Sequence, residues 1–381
     1  MDFGWSEEQK QLSQAAAEFA RKELNADLAA ADRAARFPHK AWLSCAEFGV
    51  QGLPIPEHLG GQGADLVTTA LVLESLGYGC QDNGLLFSIS AHLWSCAVPI
   101  WKFGNDLQRG RYLPGLCDGS LIGVQAVTEA GSGSDAFAVA TRATLDGDHY
   151  VLNGSKIFIT NAPIAGLLIV LARTGGRGNV AELCAFIVER DTPGLTISEP
   201  FEKLGLNTSP MGEVTFDDCR VPAAALLGGP GAGMTVFNTT IEWERSFIMA
   251  TALGTMRRQL EEAIEYAGAH QRFGQPIGKN QTVANRIVDM RVRLDASKLL
   301  MYHLAWLKDQ GHRTTLESSI VKLFLSQAFV ESSVDAFETF GAQAYMSGTP
   351  QERNLRDSLA SRIYSGTSDI QRVIVARMLG L

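Results

Sequence analysis

The spacing of apolar residues changes twice along this chain, and those two changes constrain the fold more than any other feature. From Ser6 to about Leu116 apolar residues recur every three to four positions, as in SEEQKQLSQAAAEFARKEL and TTALVLESLGYG, a spacing that predicts helices. Between these lies GVQGLPIPEHLGGQGAD, whose prolines and glycines rule out continuous helix. From Ile122 to about Gly229 the pattern shortens to HYVLNG, KIFITNA, LLIVLA, CAFIVE and EVTFDD, which reads as strands, with Asp146-Gly147 and Asn153-Gly154 as tight hairpin turns. From Met234 onward helical spacing returns in TALGTMRRQLEEAIEYA and SSIVKLFLSQAFVESSVDAFETF. The chain is therefore expected to be α+β, with domains at 1–121, 122–232 and 233–381. Strand and helix do not alternate, which disfavours a doubly wound nucleotide fold. The glycine-rich GGPGAGM at 228–234 lacks the Gly-Lys-Ser/Thr ending of a phosphate loop and reads as a crossing between domains.

Composition narrows the function classes. A net charge of -8 disfavours nucleic acid, whose phosphates need a basic surface. Apolar residues make up 46% of the chain, yet the apolar stretches look too broken to span a bilayer, and no membrane partner is expected. The N-terminal MDFGWSEEQKQLSQAAAEFA lacks the basic flank and apolar block of a secretory signal, so a cytoplasmic location is expected. Six scattered cysteines with no C-x-x-C and no histidine at ligand spacing argue for buried, reduced thiols and against a metal or a disulfide framework.

One short run stands out. In TTIEWERSFIMA at 239–250, a helix beginning near 234 and running to 268 would place Phe237, Ile241, Glu244 and Ile248 on one face. Glu244 thus falls on the apolar stripe, whereas Glu242 joins Thr235, Asn238, Thr239 and Ser246 on a solvated side. A buried carboxylate needs a partner or a task. Two readings are open for Glu244: an ion pair with an arginine of a neighbouring helix, or a general base strengthened by its apolar setting.

The motifs VTEAGSGSD at 127–135, LNGSKIFITNA at 152–162, KLGLNTSPMGEVTFDDCRVP at 203–222, RFGQPIGKNQ at 272–281 and IYSGTSDIQRVIVAR at 363–377 resemble the flavin-dependent acyl-CoA dehydrogenases over essentially the whole chain. The resemblance implies an N-terminal helical domain, a middle β-barrel or sandwich and a C-terminal four-helix bundle, with FAD as cofactor. It assigns Gln125, Val127, Thr128, Gly133, Ser134, Phe158 and Thr160 to the flavin and its surroundings. His270, Arg272, Phe273 and Gln281 would reach the FAD of a neighbouring subunit, which implies a dimer within a homotetramer. Thr367 and Asp369 would meet the adenosine and phosphate end. Glu338, Gly341 and Ala342 stand where the family has Gln and, after three residues, Gly-Gly, and His270 stands where it commonly has arginine.

Many members carry the catalytic glutamate just before the Gly-Thr of the last motif. Here that position is Ser365, while Glu244-Arg245 falls where the isovaleryl type places its base. The resemblance therefore makes Glu244 the base that takes the α proton of an acyl thioester, and the backbone N–H of Ser365 a donor to the thioester oxygen. It sets Ser90, Trp243, Arg245, Tyr364 and Gly366 around the substrate. Trp243 at helical spacing also reads as ordinary core.

Trp243-Glu244, FSISAHLWSCAVPIWKFG at 87–104 and SRIYSGTSDIQ look most like a subgroup that oxidises a prolyl group on a peptidyl carrier protein, giving pyrrole-2-carboxyl in natural-product pathways. The other expectations on this scaffold are short or branched acyl-CoA oxidation in catabolism, a flavin monooxygenase or oxidase, and a binder without dehydrogenation. The electron acceptor is expected to be an electron-transfer flavoprotein or oxygen.

Overall fold

Every helix and strand below comes from a computed structural model, which describes residues 4–176 and 180–381. The N-terminal part contains α1 (Glu7–Glu23), α2 (Leu28–Arg33), α3 (His39–Glu47), α4 (Leu66–Gly79), α5 (Asn83–His92), α6 (Val98–Phe103) and α7 (Asp106–Cys117). Ser6 starts α1 with a reciprocal cap: its hydroxyl accepts from Gln9 N–H, and its own N–H donates to the Gln9 side chain. Residues 50–63 form the expected irregular crossing, with short 3₁₀ turns at Val50–Gly52 and Glu57–Leu59. Between α5 and α6 the chain does not break; Leu93–Ala97 forms a π-helical turn. The resulting run Asn83–Phe103 is long and apolar enough to cross a membrane by composition alone, contrary to the expectation from sequence, but 89% of its most apolar window is buried inside the protein. Packing within a core accounts for that apolarity.

The middle part is a sheet of β1 (Gly123–Ala126), β2 (Arg142–Asp146), β3 (His149–Thr160), β4 (Leu167–Arg173), β5 (Leu183–Glu189), β6 (Leu195–Ile197), β7 (Met211–Pro222) and β8 (Leu226–Leu227). Its order is β6-β7-β3-β2-β4-β5-β8, and β1 lies parallel to β4 from Gly123↔Leu167 to Ala126↔Val170. Asp146-Gly147 makes the hairpin turn between β2 and β3, with Gly147 at φ +62°. Asn153-Gly154 does not turn the chain. It lies inside β3, where Gly154 at φ +144° forms an irregularity in the pairing with β7 and Asn153 exchanges hydrogen bonds with Asp218. An added Cβ at Gly154 would come within 2.8 Å of the Thr141 backbone, so the glycine serves close approach rather than reversal.

The C-terminal part comprises α8 (Gly233–Phe247), α9 (Ala250–Ala269), the small hairpin β9 (Gln271–Arg272) and β10 (Gln275–Pro276), α10 (Gln281–Asp309), α11 (Thr315–Phe340), α12 (Pro350–Ala360) and α13 (Ser368–Met378). The single helix expected over 234–268 is two, divided at Ile248 and Met249, where ψ rises to -23° and 0°. The division has a packing reason. α9 runs so close to α4 that a Cβ on Gly254 would lie 1.9 Å from the Glu74 carbonyl oxygen, whereas α8 follows α11 and the π-helical turn. A straight helix could not satisfy both surfaces.

The motif at 203–210 ties the parts together. Thr208 Oγ1 donates to Asp82 Oδ1 at the cap of α5, Leu206 N–H donates to Asp357 of α12, and Asn83 Nδ2 donates to the same carboxyl. All six cysteines are buried and unpaired. Among the described residues no group of three or more His, Cys, Asp or Glu side chains is placed to hold a metal ion.

Candidate active site

The last turn of α8 aims Glu244 at two hydroxyls from distant parts of the chain. Ser95 Oγ donates to Oε2 at 2.8 Å and Ser365 Oγ donates to Oε1 at 2.5 Å. Glu244 is half-buried, and among the described residues it forms no ion pair, so the arginine reading is not realised. Ser95 sits in the π-helical turn, whose extra residue turns its hydroxyl toward α8. Glu242 is not on a solvated side as expected. It is half-buried, ion-paired with Lys308 at 2.8 Å, and accepts from Thr314 and Thr315. Burial would raise its carboxyl, but Lys308 and the threonines outweigh that and hold it low.

Opposite Glu244 lies the turn Tyr364-Ser365-Gly366. Ser365 has φ +55° and Gly366 φ +87°, and an added Cβ at Gly366 would sit 2.8 Å from Gln371 Nε2 and 3.2 Å from an Arg245 nitrogen. Left-handed backbone at a serine is costly and persists only where the surroundings impose it. Here Arg245 Nε donates to the Ser365 carbonyl at 3.1 Å, Gln371 Nε2 to both the Ser365 and Gly366 carbonyls, and Lys322 Nζ to Gly366 at 2.8 Å. The Ser365 and Gly366 carbonyls are thus both engaged, while the Ser365 N–H meets no acceptor within the chain among the described residues. A buried N–H left without an acceptor is rare and marks a place for a ligand oxygen. Burial lowers Arg245 from the ordinary guanidinium range, opposed by Glu244 and Glu242. Tyr364 packs on Phe87 at 4.5 Å and its hydroxyl reaches Met249 Sδ at 3.1 Å.

Trp243 belongs to an aromatic cluster with Trp94, Trp101 and Phe247 at 6.1 to 6.3 Å, with Lys102 and Lys308 over its ring at 5.2 Å each. Its surroundings are those of core packing. Ser90 is fully buried, and its hydroxyl, like the Trp94 indole N–H one turn later, has no partner among the described residues. The hydroxyl that touches Glu244 is Ser95, which sequence reasoning passed over.

The residues assigned to the flavin lie where β1, the 127–135 loop and the end of β3 meet. Gln125 and Val127 line a crevice with Ile169, Gly233, Val236 and Phe237, so this edge of the sheet faces the start of α8. Beside it the pairing of β3 with β7 slips between Lys156 and Ile159, and Phe158 in that slip has φ +60° and is 59% exposed. The hydroxyls of Thr128, Ser134 and Thr160 have no partner within the chain among the described residues, and a Cβ added at Gly133 would meet nothing within 4 Å. Free donors, open space beside glycine and an exposed ring suit a planar polar cofactor. The loop itself is pinned by an ion pair that sequence reasoning missed. Lys156 Nζ meets Glu129 Oε1 at 2.7 Å, fully buried, while Glu129 also accepts from Thr141 and the Ala140 N–H. Burial lowers Lys156 to about 8, and burial of Glu129 is outweighed by Lys156, which holds its carboxyl low.

The remaining candidates sit apart from Glu244. The β9–β10 hairpin packs on α9 and presents Phe273, 98% exposed at φ +55°, beside exposed Arg272 and Gln281. His270 stacks on Tyr266 with ring centres 3.7 Å apart, and its Nδ1 has no partner among the described residues. Glu338 pairs with Arg286, and Gly341-Ala342 lies exposed at the end of α11. Thr367 caps α13 by accepting from the Ile370 N–H, and Asp369 in its first turn is exposed. A separate open cleft of about 520 Å³, lined by residues including His39, Trp42, Ile164 and Arg190, contains none of these residues.

Two helical parts flanking a β sheet, with a carboxylate from one helix facing a strained backbone turn, define a three-domain acyl-thioester dehydrogenase scaffold. The chain belongs to the acyl-CoA dehydrogenase family: family models for its N-terminal, middle and C-terminal domains match residues 6–120, 125–219 and 231–380. It is 40% identical to an L-prolyl-[peptidyl-carrier protein] dehydrogenase of Pseudomonas fluorescens, over all of both chains. Among solved structures it resembles the prolyl acyl carrier protein oxidase AnaB, with a TM-score of 0.98 and 46% identity over 99% of this chain and 100% of that one. It also resembles PigA with FAD and proline, with a TM-score of 0.97 and 38% identity over 100% of both chains.

Proposed function

We propose that this chain is an FAD-dependent dehydrogenase of a prolyl group held as a thioester on a carrier protein, converting it to pyrrole-2-carboxyl in natural-product biosynthesis. The observation that carries the reading is the hydroxyl-held Glu244 carboxylate opposite the unsatisfied Ser365 N–H. The names of its relatives, a prolyl-carrier dehydrogenase, a prolyl-carrier oxidase and a proline complex, support the choice of substrate.

Glu244 acts as the base. Its two oxygens are fixed by Ser95 and Ser365, so the carboxylate is held in one orientation before substrate arrives. It removes the proton from the α carbon while the Ser365 N–H steadies the negative charge that grows on the thioester oxygen. FAD, when bound, would supply the acceptor for the hydride leaving the neighbouring carbon. Each round removes one proton and one hydride, and two rounds, with the two electrons of each passed on to an electron-transfer flavoprotein or oxygen, remove the four hydrogens that separate a prolyl from a pyrrolyl ring. Gln125, Val127, Thr128, Gly133, Ser134, Phe158 and Thr160 hold the flavin edge. The exposed Phe273 hairpin supports a subunit contact in which Arg272 and Gln281 complete the FAD site of a neighbour.

The test is anaerobic bleaching of the flavin in the purified holoenzyme. Prolyl-carrier thioester is expected to bleach it rapidly, and isovaleryl-CoA slowly or not at all. Faster bleaching by the CoA thioester would move the enzyme to branched-chain catabolism, and no bleaching by either would remove the dehydrogenase reading. Re-oxidation in air, with and without an electron-transfer flavoprotein, identifies the acceptor.

A further inference from the structure

Lys322 of α11 is fully buried, yet it forms no ion pair with any described carboxylate. Its ammonium donates instead to two backbone carbonyls, Ser361 and Gly366, each at 2.8 Å. Burying an ammonium is expensive, and a methionine of similar length would fill the space without that cost. The residue therefore has a use that only a strong multiple donor meets. The two carbonyls bracket the turn that contains Tyr364 and Ser365, and the Lys322 ammonium also lies 5.6 Å from the centre of the Tyr364 ring.

We propose that Lys322 is a positioning residue of the catalytic turn: by holding the Ser361 and Gly366 carbonyls, it keeps Ser365 in its left-handed conformation, with the hydroxyl on Glu244 and the N–H turned toward the acyl oxygen. The proposal rests on the role given above to Glu244 and Ser365. Arg245 and Gln371 grip the same turn from α8 and α13, but neither reaches Ser361, so among the described residues only Lys322 spans both ends. The charged and titratable groups facing the ammonium are Arg245 and Glu244 of α8 and Tyr364 of the turn. Burial lowers Lys322 to about 7, Arg245 pushes in the same direction and Glu244 opposes. As pH rises through that range the ammonium gives up its proton and its grip on the carbonyls weakens. The turn is then less firmly held, and turnover falls on the alkaline side.

The experiment compares wild-type holoenzyme with Lys322→Met and with Lys322→Gln, which retains a neutral donor. Two readouts are taken: hydrogen exchange of the peptide covering 361–367, and kcat and KM for the prolyl-carrier thioester across pH 5.5 to about 9. Lys322→Met is expected to exchange about tenfold faster in that peptide alone, to lose about tenfold or more in kcat with KM little changed, and to lack the alkaline limb. Lys322→Gln is expected to fall between and also to lack the limb; it decides the matter alone if the methionine variant does not fold. Unchanged exchange, or faster exchange with unchanged kcat and an intact limb, overturns the proposal. If wild-type enzyme is inert toward the prolyl carrier, the substrate reading falls, and the exchange comparison alone decides the role of Lys322.

Discussion

Ser365 donates its hydroxyl to Glu244 Oε1 at 2.5 Å across 121 positions of sequence, from the place where many members of the family keep their base. The serine at that position thus supports the carboxylate proposed above as the base. Ser95 completes the arrangement on Oε2, so Ser365→Ala and Ser95→Ala each remove one of two hydrogen bonds to the same carboxylate. Hydrogen bonds to charged groups contribute roughly 1.5–3 kcal/mol. Each variant is expected to lower kcat by about tenfold or more with KM little changed. The double variant is expected to depart from additivity because both act through one group. Steady-state kinetics on the four proteins measures this coupling, and strict additivity with small single effects would count against a shared support.

The buried pair Lys156 and Glu129 shapes the loop that carries Thr128, Gly133 and Ser134. Lys156→Met leaves the Glu129 carboxylate buried with its main partner gone, a change that costs roughly 3–5 kcal/mol. The variant is expected to unfold at lower denaturant and to purify with less flavin. Adding Glu129→Gln should recover part of the loss. Denaturant titration and the flavin-to-protein absorbance ratio check both statements.

Asp357 gives the domain latch a pH dependence opposite to that of a paired carboxylate. Burial pushes its carboxyl up to about 6, against the pull of the Leu206 N–H and the Asn83 side chain. In the unfolded chain an aspartate titrates near pH 3.9. Between these values the folded protein holds a proton that the unfolded chain has released. This contribution to stability is therefore complete below about pH 4 and is lost as pH rises through about 6, amounting to ~3 kcal/mol. Asp357→Asn removes it, so the melting temperature of the variant relative to wild type is expected to climb between pH 4.5 and 7. A difference that stays flat across that range would show that the buried carboxyl does not titrate there.

The parts of the fold that follow from local periodicity were legible in the sequence. The changes in spacing near residues 122 and 229 mark where the sheet begins and ends, whereas the stripe expected through Phe237, Ile241 and Glu244 is only half-buried and the buried face of α8 runs through Val236, Thr240, Ser246 and Phe247. What was not legible depends on contacts across the chain. Glu242 looked solvated because its neighbours on the helix are polar, but Lys308, Thr314 and Thr315 close over it from more than sixty positions away. Ser95 carried no local signal, since its role depends on a π-helical turn inside an apolar run. Asn153-Gly154 has the composition of a hairpin, but the pairing of β3 with β7 on both sides of it keeps the strand extended. The helix division at 248–249 arises from two packing surfaces that no single-helix pattern reveals.

Glu244→Gln in the flavin-loaded enzyme tests the central claim most directly. The amide keeps the size of the side chain and accepts a hydrogen bond through one oxygen, but it cannot take a proton from carbon. Mixed anaerobically with prolyl-carrier thioester, it is expected to bleach at least roughly a hundredfold more slowly than wild type, the lower range for loss of a general base. Bleaching at the wild-type rate would show that proton abstraction is carried by another group.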